Sequence, residues 1–162
     1  MQKYLNVLKN GCECIMLTNE GINIIPDLSR FRNLKKLYLS CNNITDLSPL
    51  QKLINLEVLY LDGNNITNLL PLSNLIKLKE LNLCYNNISD LSPLLNLINL
   101  EKLILHINPF VTKYLKPDIE VFDKELIKQI YEEFGKDEIT KAINYVISNI
   151  KINNVDISWQ LR

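Results

Sequence analysis

This chain carries no surplus charge of either sign. Lys plus Arg number 18 and Asp plus Glu number 18, so the formal net charge is zero. A general nucleic-acid or membrane-surface binder needs a basic excess, and none is present. No run of about 18 apolar residues occurs, so no membrane-spanning helix is expected. The first residues, Met1 to Gly11, lack a continuous apolar stretch, so no secretory leader is expected either. The expected location is therefore cytoplasmic, with delivery into a host cell as an effector left open. Cys12, Cys14, Cys41 and Cys84 form no C-x-x-C pair and are read as reduced thiols. His106 is the single histidine.

What is present is a period. A frame L-x-x-L-x-L-x-x-N-x-I recurs every 22 residues, starting at Cys12, Leu34, Leu56, Leu78 and Leu100. The clearest copy is Leu34, Leu37, Leu39, Asn42 and Ile44. Within each copy Leu37 and Leu39, or their equivalents, alternate with variable residues. Alternation of this kind is a strand with one buried face. Copies of equal length stack their strands in parallel, about 4.8 Å apart. The ninth position, Asn42, Asn64, Asn86 and Asn108, lies where the chain turns off the strand. An amide both donates and accepts, so it can satisfy backbone groups of its own coil and its neighbour.

The second half of each copy, as in Ile44, Leu47, Leu50 and Leu53, spaces apolar residues by three. That spacing suits a short 3₁₀ return, and Pro49, Pro71 and Pro93 recur at one frame position to limit its length. Each coil then buries about seven apolar side chains, worth roughly 2 kcal/mol apiece, when neighbours cover both of its sides. The expected class is α/β: a solenoid with a parallel concave sheet of about five strands, short 3₁₀ or loop returns on the convex side, and helical caps at both ends.

The expected divisions are an N-terminal helical cap over 1–11, repeats over 12–110 (12–33, 34–55, 56–77, 78–99 and a partial 100–110), and a C-terminal helical cap or small module over 111–162. In the last, Asp123 can cap a helix through Phe134 and Asp137 a second through Ile150. Glu20 stands where the first copy needs Asn, and a carboxylate cannot donate, which weakens the amide row there.

The frame resembles the 22-residue class of leucine-rich repeats. That class includes a regulatory subunit of protein phosphatase 1, a spliceosomal snRNP subunit and a dynein light chain. The phrases Thr45-Asp46-Leu47-Ser48-Pro49-Leu50 and Ser89-Asp90-Leu91-Ser92-Pro93-Leu94 are similar to the repeats of bacterial internalins. Internalins also carry an immunoglobulin-like domain after the repeats, and no such domain is expected within 111–162. Asn108-Pro109-Phe110, Tyr114 and Val121-Phe122-Asp123 resemble the C-terminal cap of the intracellular members, at compressed spacing. The resemblance implies a protein-binding solenoid without catalysis.

Strand side chains aimed away from the core would form three columns. The third frame position gives Cys14, Lys36, Val58, Glu80 and Lys102. The fifth gives Met16, Tyr38, Tyr60, Asn82 and Ile104. The seventh gives Thr18, Ser40, Asp62, Cys84 and His106. Folding does not require apolar or aromatic area in the fifth column, and such area on a preformed surface is typical of an interface. Lys36, Glu80 and Lys102 would flank it as a charged rim. Tyr38 and Tyr60 could instead simply pack on each other.

The seventh column could place Asp62, Cys84 and His106 in one row. A triad needs the histidine in the middle, and here Cys84 is, so catalysis is not expected. No metal is expected: the row reads as a polar surface with a solvated histidine, and Asp62, Cys84 and His106 are the candidates for a divalent ion should one bind. No cofactor is expected. The expected partner is a protein or peptide, not nucleic acid or membrane, bound by a chain whose oligomeric state the sequence leaves open, with a monomer as the default. The alternative is an adaptor or effector whose C-terminal helices dock a second partner such as ubiquitin-ligase or phosphatase machinery.

Overall fold

A computed structural model describes residues 11–109 and 121–123. The expected caps over 1–11 and 111–162 lie almost wholly outside these residues, including both expected C-terminal helices.

The strands are β1 (Cys14–Met16), β2 (Lys36–Tyr38), β3 (Val58–Tyr60), β4 (Glu80–Asn82), β5 (Lys102–Ile104) and β6 (Val121–Asp123). They hydrogen-bond in simple sequence order. The first five run parallel with no slip of register. Ile15 pairs with Leu37, Leu37 with Leu59, Leu59 with Leu81 and Leu81 with Leu103. Equal coil length is the cause, since one inserted residue would turn the apolar face outward. β6 differs: it runs antiparallel to β5, with Leu103 opposite Phe122. The sequence pattern predicts a helix start at Asp123 and no strand over 121–123, with an extended edge considered only for 151–162. A strand here pairs the groups that β5 would otherwise leave open at its edge.

On the opposite side, 3₁₀ turns span Ser48–Leu50, Leu70–Leu72 and Ser92–Asn96, each with its proline in the first turn. The proline ring fixes φ and contributes no N–H to satisfy. Asp46 and Asp90 each accept hydrogen bonds from the backbone N–H and the hydroxyl of the serine two residues on. These contacts pin the start of the return.

The core is one continuous column of leucine and isoleucine. In the coil from Leu56 it holds Leu56, Leu59, Leu61, Ile66, Leu69, Leu72 and Leu75, all essentially without solvent contact.

Each ninth-position asparagine ties two coils together. Asn64 donates from Nδ2 to the carbonyls of Leu61 at 2.9 Å and Leu39 at 3.0 Å. Its Oδ1 accepts from the Ile44 N–H at 3.0 Å. Asn42, Asn86 and Asn108 repeat this arrangement. Glu20 heads no such set and is exposed.

One feature of this turn is invisible in the residue types. The residue before the asparagine position has positive φ in every copy: Asn19 at 58°, Cys41 at 56°, Gly63 at 65°, Tyr85 at 51° and Ile107 at 54°. In the first four copies its N–H donates to the seventh-position carbonyl of the next coil, as from Cys41 to Asp62 at 2.8 Å. The left-handed bend aims that N–H along the ladder and swings the following side chain inward. Only Gly63 is free of the steric cost that L-residues incur there.

Candidate functional site

The strict register sets the outward face of the sheet. Cys14, Lys36, Val58, Glu80 and Lys102 align, as do Met16, Tyr38, Tyr60, Asn82 and Ile104. Both columns are therefore brought together as rows of neighbours. Met16 is 63% exposed, while Tyr38, Tyr60, Asn82 and Ile104 are half-buried.

The tyrosines touch. Their ring centroids lie 5.1 Å apart at an interplanar angle of 65°, an edge-to-face contact. That geometry sets the positive ring edge against the negative face and fixes both side chains. Partial burial pushes the Tyr60 hydroxyl pKa above its ordinary value, and the neighbouring Glu80 carboxylate adds to the rise. Glu80 is itself held below the usual carboxylate range by its hydrogen bond with Lys102, whose Nζ lies 2.8 Å from Oε1. The same contact raises Lys102. Of the rim, Glu80 and Lys102 are thus a closed pair, and Lys36 stands exposed beside the tyrosines.

Asn82 interrupts the apolar stripe. Its Nδ2 donates to Asp62 Oδ1 at 3.0 Å, and the Ser40 hydroxyl donates to the same oxygen at 2.7 Å. This Ser40–Asp62–Asn82 network joins two columns that the sequence reading treated separately. A carboxylate one strand from a hydroxyl and an amide was the available signal.

The same network disposes the seventh column. Cys84 Sγ lies 3.3 Å from His106 Nδ1, and Tyr85 meets the His106 ring edge-on at 5.7 Å. Asp62 is engaged by Ser40 and Asn82 instead of Cys84. Among the described residues no group of three or more candidate metal ligands comes together. Asp62, Cys84 and His106 therefore share a column without sharing a site. Cys12, Cys14, Cys41 and Cys84 form no disulfide with one another.

The outward face so arranged is an open, preformed surface. Apolar and aromatic area lies at Met16, Tyr38 and Tyr60 and again at Ile104, with the Ser40–Asp62–Asn82 network and the Glu80–Lys102 pair beside and between them. Such a surface can bind by shape and by contact with aromatic groups.

Comparison with known proteins identifies the repeat. Residues 32–74 match a model of leucine-rich repeats in two copies, and residues 77–97 match a single leucine-rich repeat. No curated protein matches the chain. Among solved structures, an internalin (inlF) of Listeria monocytogenes is 38% identical with a TM-score of 0.56, over 60% of this chain and 28% of that one. Internalin C2 of the same organism is 39% identical with a TM-score of 0.55, over 59% of this chain and 42% of that one. A leucine-rich-repeat protein of Leptospira interrogans is 32% identical with a TM-score of 0.52, over 66% and 26% respectively. The chain thus spans less than half the length of each. Its repeats are leucine-rich repeats similar to those of internalins, a fold whose members serve in protein–protein interaction.

Proposed function

We propose that this chain is a non-catalytic binding module whose concave face docks a protein or peptide. The observation that carries the reading is the fixed Tyr38–Tyr60 pair on the outward side of the sheet, continuous with exposed Met16. Two rigid aromatics give contact area at low entropic cost, because their rotamers are already set. Ile104 extends the apolar column at the far end, and Asn82 offers a polar stop between. Lys36 supplies an accessible cation at the rim, while the Glu80–Lys102 pair presents fixed charges of both signs. This arrangement favours a partner with an apolar or aromatic anchor and a carboxylate near it.

The face offers a binder little with which to perform chemistry. His106 is hydrogen-bonded to Cys84 rather than placed between a nucleophile and an acid.

The test is Tyr38→Ala with Tyr60→Ala in the full chain, followed by cross-linking and mass spectrometry of captured proteins. Partners held by the parent and lost by the variant, with circular dichroism unchanged, are the expected result. An unchanged set of partners on an intact fold overturns the reading.

A further inference from the structure

A second row of exposed apolar residues runs along the flank where each return enters its strand. Ile54, Ile76 and Ile98 occupy the same frame position in successive coils and are 55%, 49% and 73% exposed. Arg32 holds that position one coil earlier. Beside this stripe lies a column of strictly alternating charge: Glu13, Lys35, Glu57, Lys79 and Glu101. Within the chain Lys35 Nζ is 2.9 Å from Glu13 and Lys79 Nζ is 2.6 Å from Glu57. The column between them is polar and self-bonded, with Lys77 Nζ donating to Asn55 Oδ1 at 2.7 Å.

We propose that this flank pairs with the same flank of a second copy, in an antiparallel two-fold dimer. The alternating charges select both the partner and the register. Two identical flat columns laid face to face and reversed meet in one of two phases. With the axis through the coil of Lys79, Ile76 meets Ile76, but Glu57 opposes Glu101 and Lys79 opposes Lys79. With the axis between the coils of Glu57 and Lys79, the four charges from Lys35 to Glu101 each meet their opposite, and Glu13 falls outside the overlap. Glu57 then faces the second copy's Lys79, and Lys35 faces its Glu101. In that phase Ile54 packs on Ile76 of the other copy, and the methylene stem of Arg32 covers Ile98. Lys77 meets Asn55, so no like charges oppose. The isoleucines supply attraction and the ladder supplies register, the division of labour expected of an isologous contact.

The axis of this dimer runs from the concave to the convex side. Both concave faces therefore look the same way, and a partner with two binding segments would be held by both at once. The dimer itself does not depend on the docking reading. The patch is small, so the association is weak, with a dissociation constant on the order of 100 μM.

Sedimentation velocity of the full chain from about 10 to 500 μM tests this against the stated range. A reversible monomer–dimer equilibrium is expected. Ile54→Ser with Ile76→Ser should weaken it about 100-fold, since four isoleucines leave each dimer. Lys79→Glu should weaken it about tenfold, and adding Glu57→Lys should restore it, because the double swap reverses both sides of each contact. Far-UV circular dichroism confirms that each variant is folded. A chain that stays monomeric at the highest concentration overturns the proposal, whether the isoleucines are bare or covered by the chain itself. So does a dimer indifferent to the isoleucine variants, or one that the charge swap fails to restore.

Discussion

The two faces of the sheet are built from adjacent residues and obey opposite rules. Inward, the column Ile15, Leu37, Leu59, Leu81 and Leu103 scarcely varies and is buried throughout. Outward, one residue further along each strand, Met16, Tyr38, Tyr60, Asn82 and Ile104 vary freely and keep solvent contact. The inward column answers to packing density, which tolerates little change of volume. The outward column is free of that packing constraint, and apart from the Tyr38–Tyr60 contact and the hydrogen bonds of Asn82 its chemistry can serve a partner. The sharpest way to break this contrast is to truncate each side of one strand. Leu59→Ala opens a cavity between three coils and should cost about 3–4 kcal/mol. Tyr60→Ala, one residue on, should cost under about 1.5 kcal/mol, chiefly the lost ring contact. Urea unfolding followed by circular dichroism measures both. Equal losses would show that the outward face is structural after all.

Next in size is the turn that joins the two faces. Asn64→Asp keeps the shape but removes the donor. The carbonyls of Leu39 and Leu61 would lose their partner, and a carboxylate would face them in a buried site. A loss of about 2–3 kcal/mol is expected, because buried groups left unsatisfied retain their full desolvation cost. Thermal unfolding would show it. A change below about 0.5 kcal/mol would mean that water replaces the amide and that the row is dispensable.

The solenoid was legible because each of its parts repeats. Seven buried positions and one amide per copy gave strands, register and returns, and the outward columns followed from alternation alone. What was not legible does not repeat in residue type or does not repeat at all. The left-handed position holds Asn19, Cys41, Gly63, Tyr85 and Ile107, which share a backbone conformation but no chemistry. β6 lies beyond the frame, so no period announced it. The capture of Asp62 by Ser40 and Asn82 depended on side-chain direction, which a column of letters leaves open. The isoleucine flank occupies one position of every interior copy, beside the buried leucines that the spacing by three picks out.

The left-handed position also offers a gain. Ile107 is β-branched, held at φ 54° and 53% exposed. A residue of this shape carries roughly 1–2 kcal/mol of strain there, and asparagine carries much less. Ile107→Asn should therefore raise stability by about 1 kcal/mol, read as a higher melting temperature. A fall would show that the Ile107 side chain is held by contacts worth more than the strain.

The smallest effect expected lies on the outward face itself. Glu80 and Lys102 form a well-aligned pair, yet the lysine keeps 44% of its side-chain exposure and the glutamate 28%. Exposed pairs of this kind contribute little, so Lys102→Met should change stability by less than about 0.5 kcal/mol near neutral pH. The sign with pH is fixed by the direction of the shift. Folding lowers the Glu80 pKa, chiefly through the hydrogen bond from Lys102. The stabilisation is therefore present above the unfolded value, about 4.3, and is lost as pH falls through the lowered folded value. Parent and variant should converge in acid and differ only above it. A difference that persists below that window would assign the effect to the lysine methylenes packed on the sheet, and the charged rim would then belong with the inward face as part of the architecture.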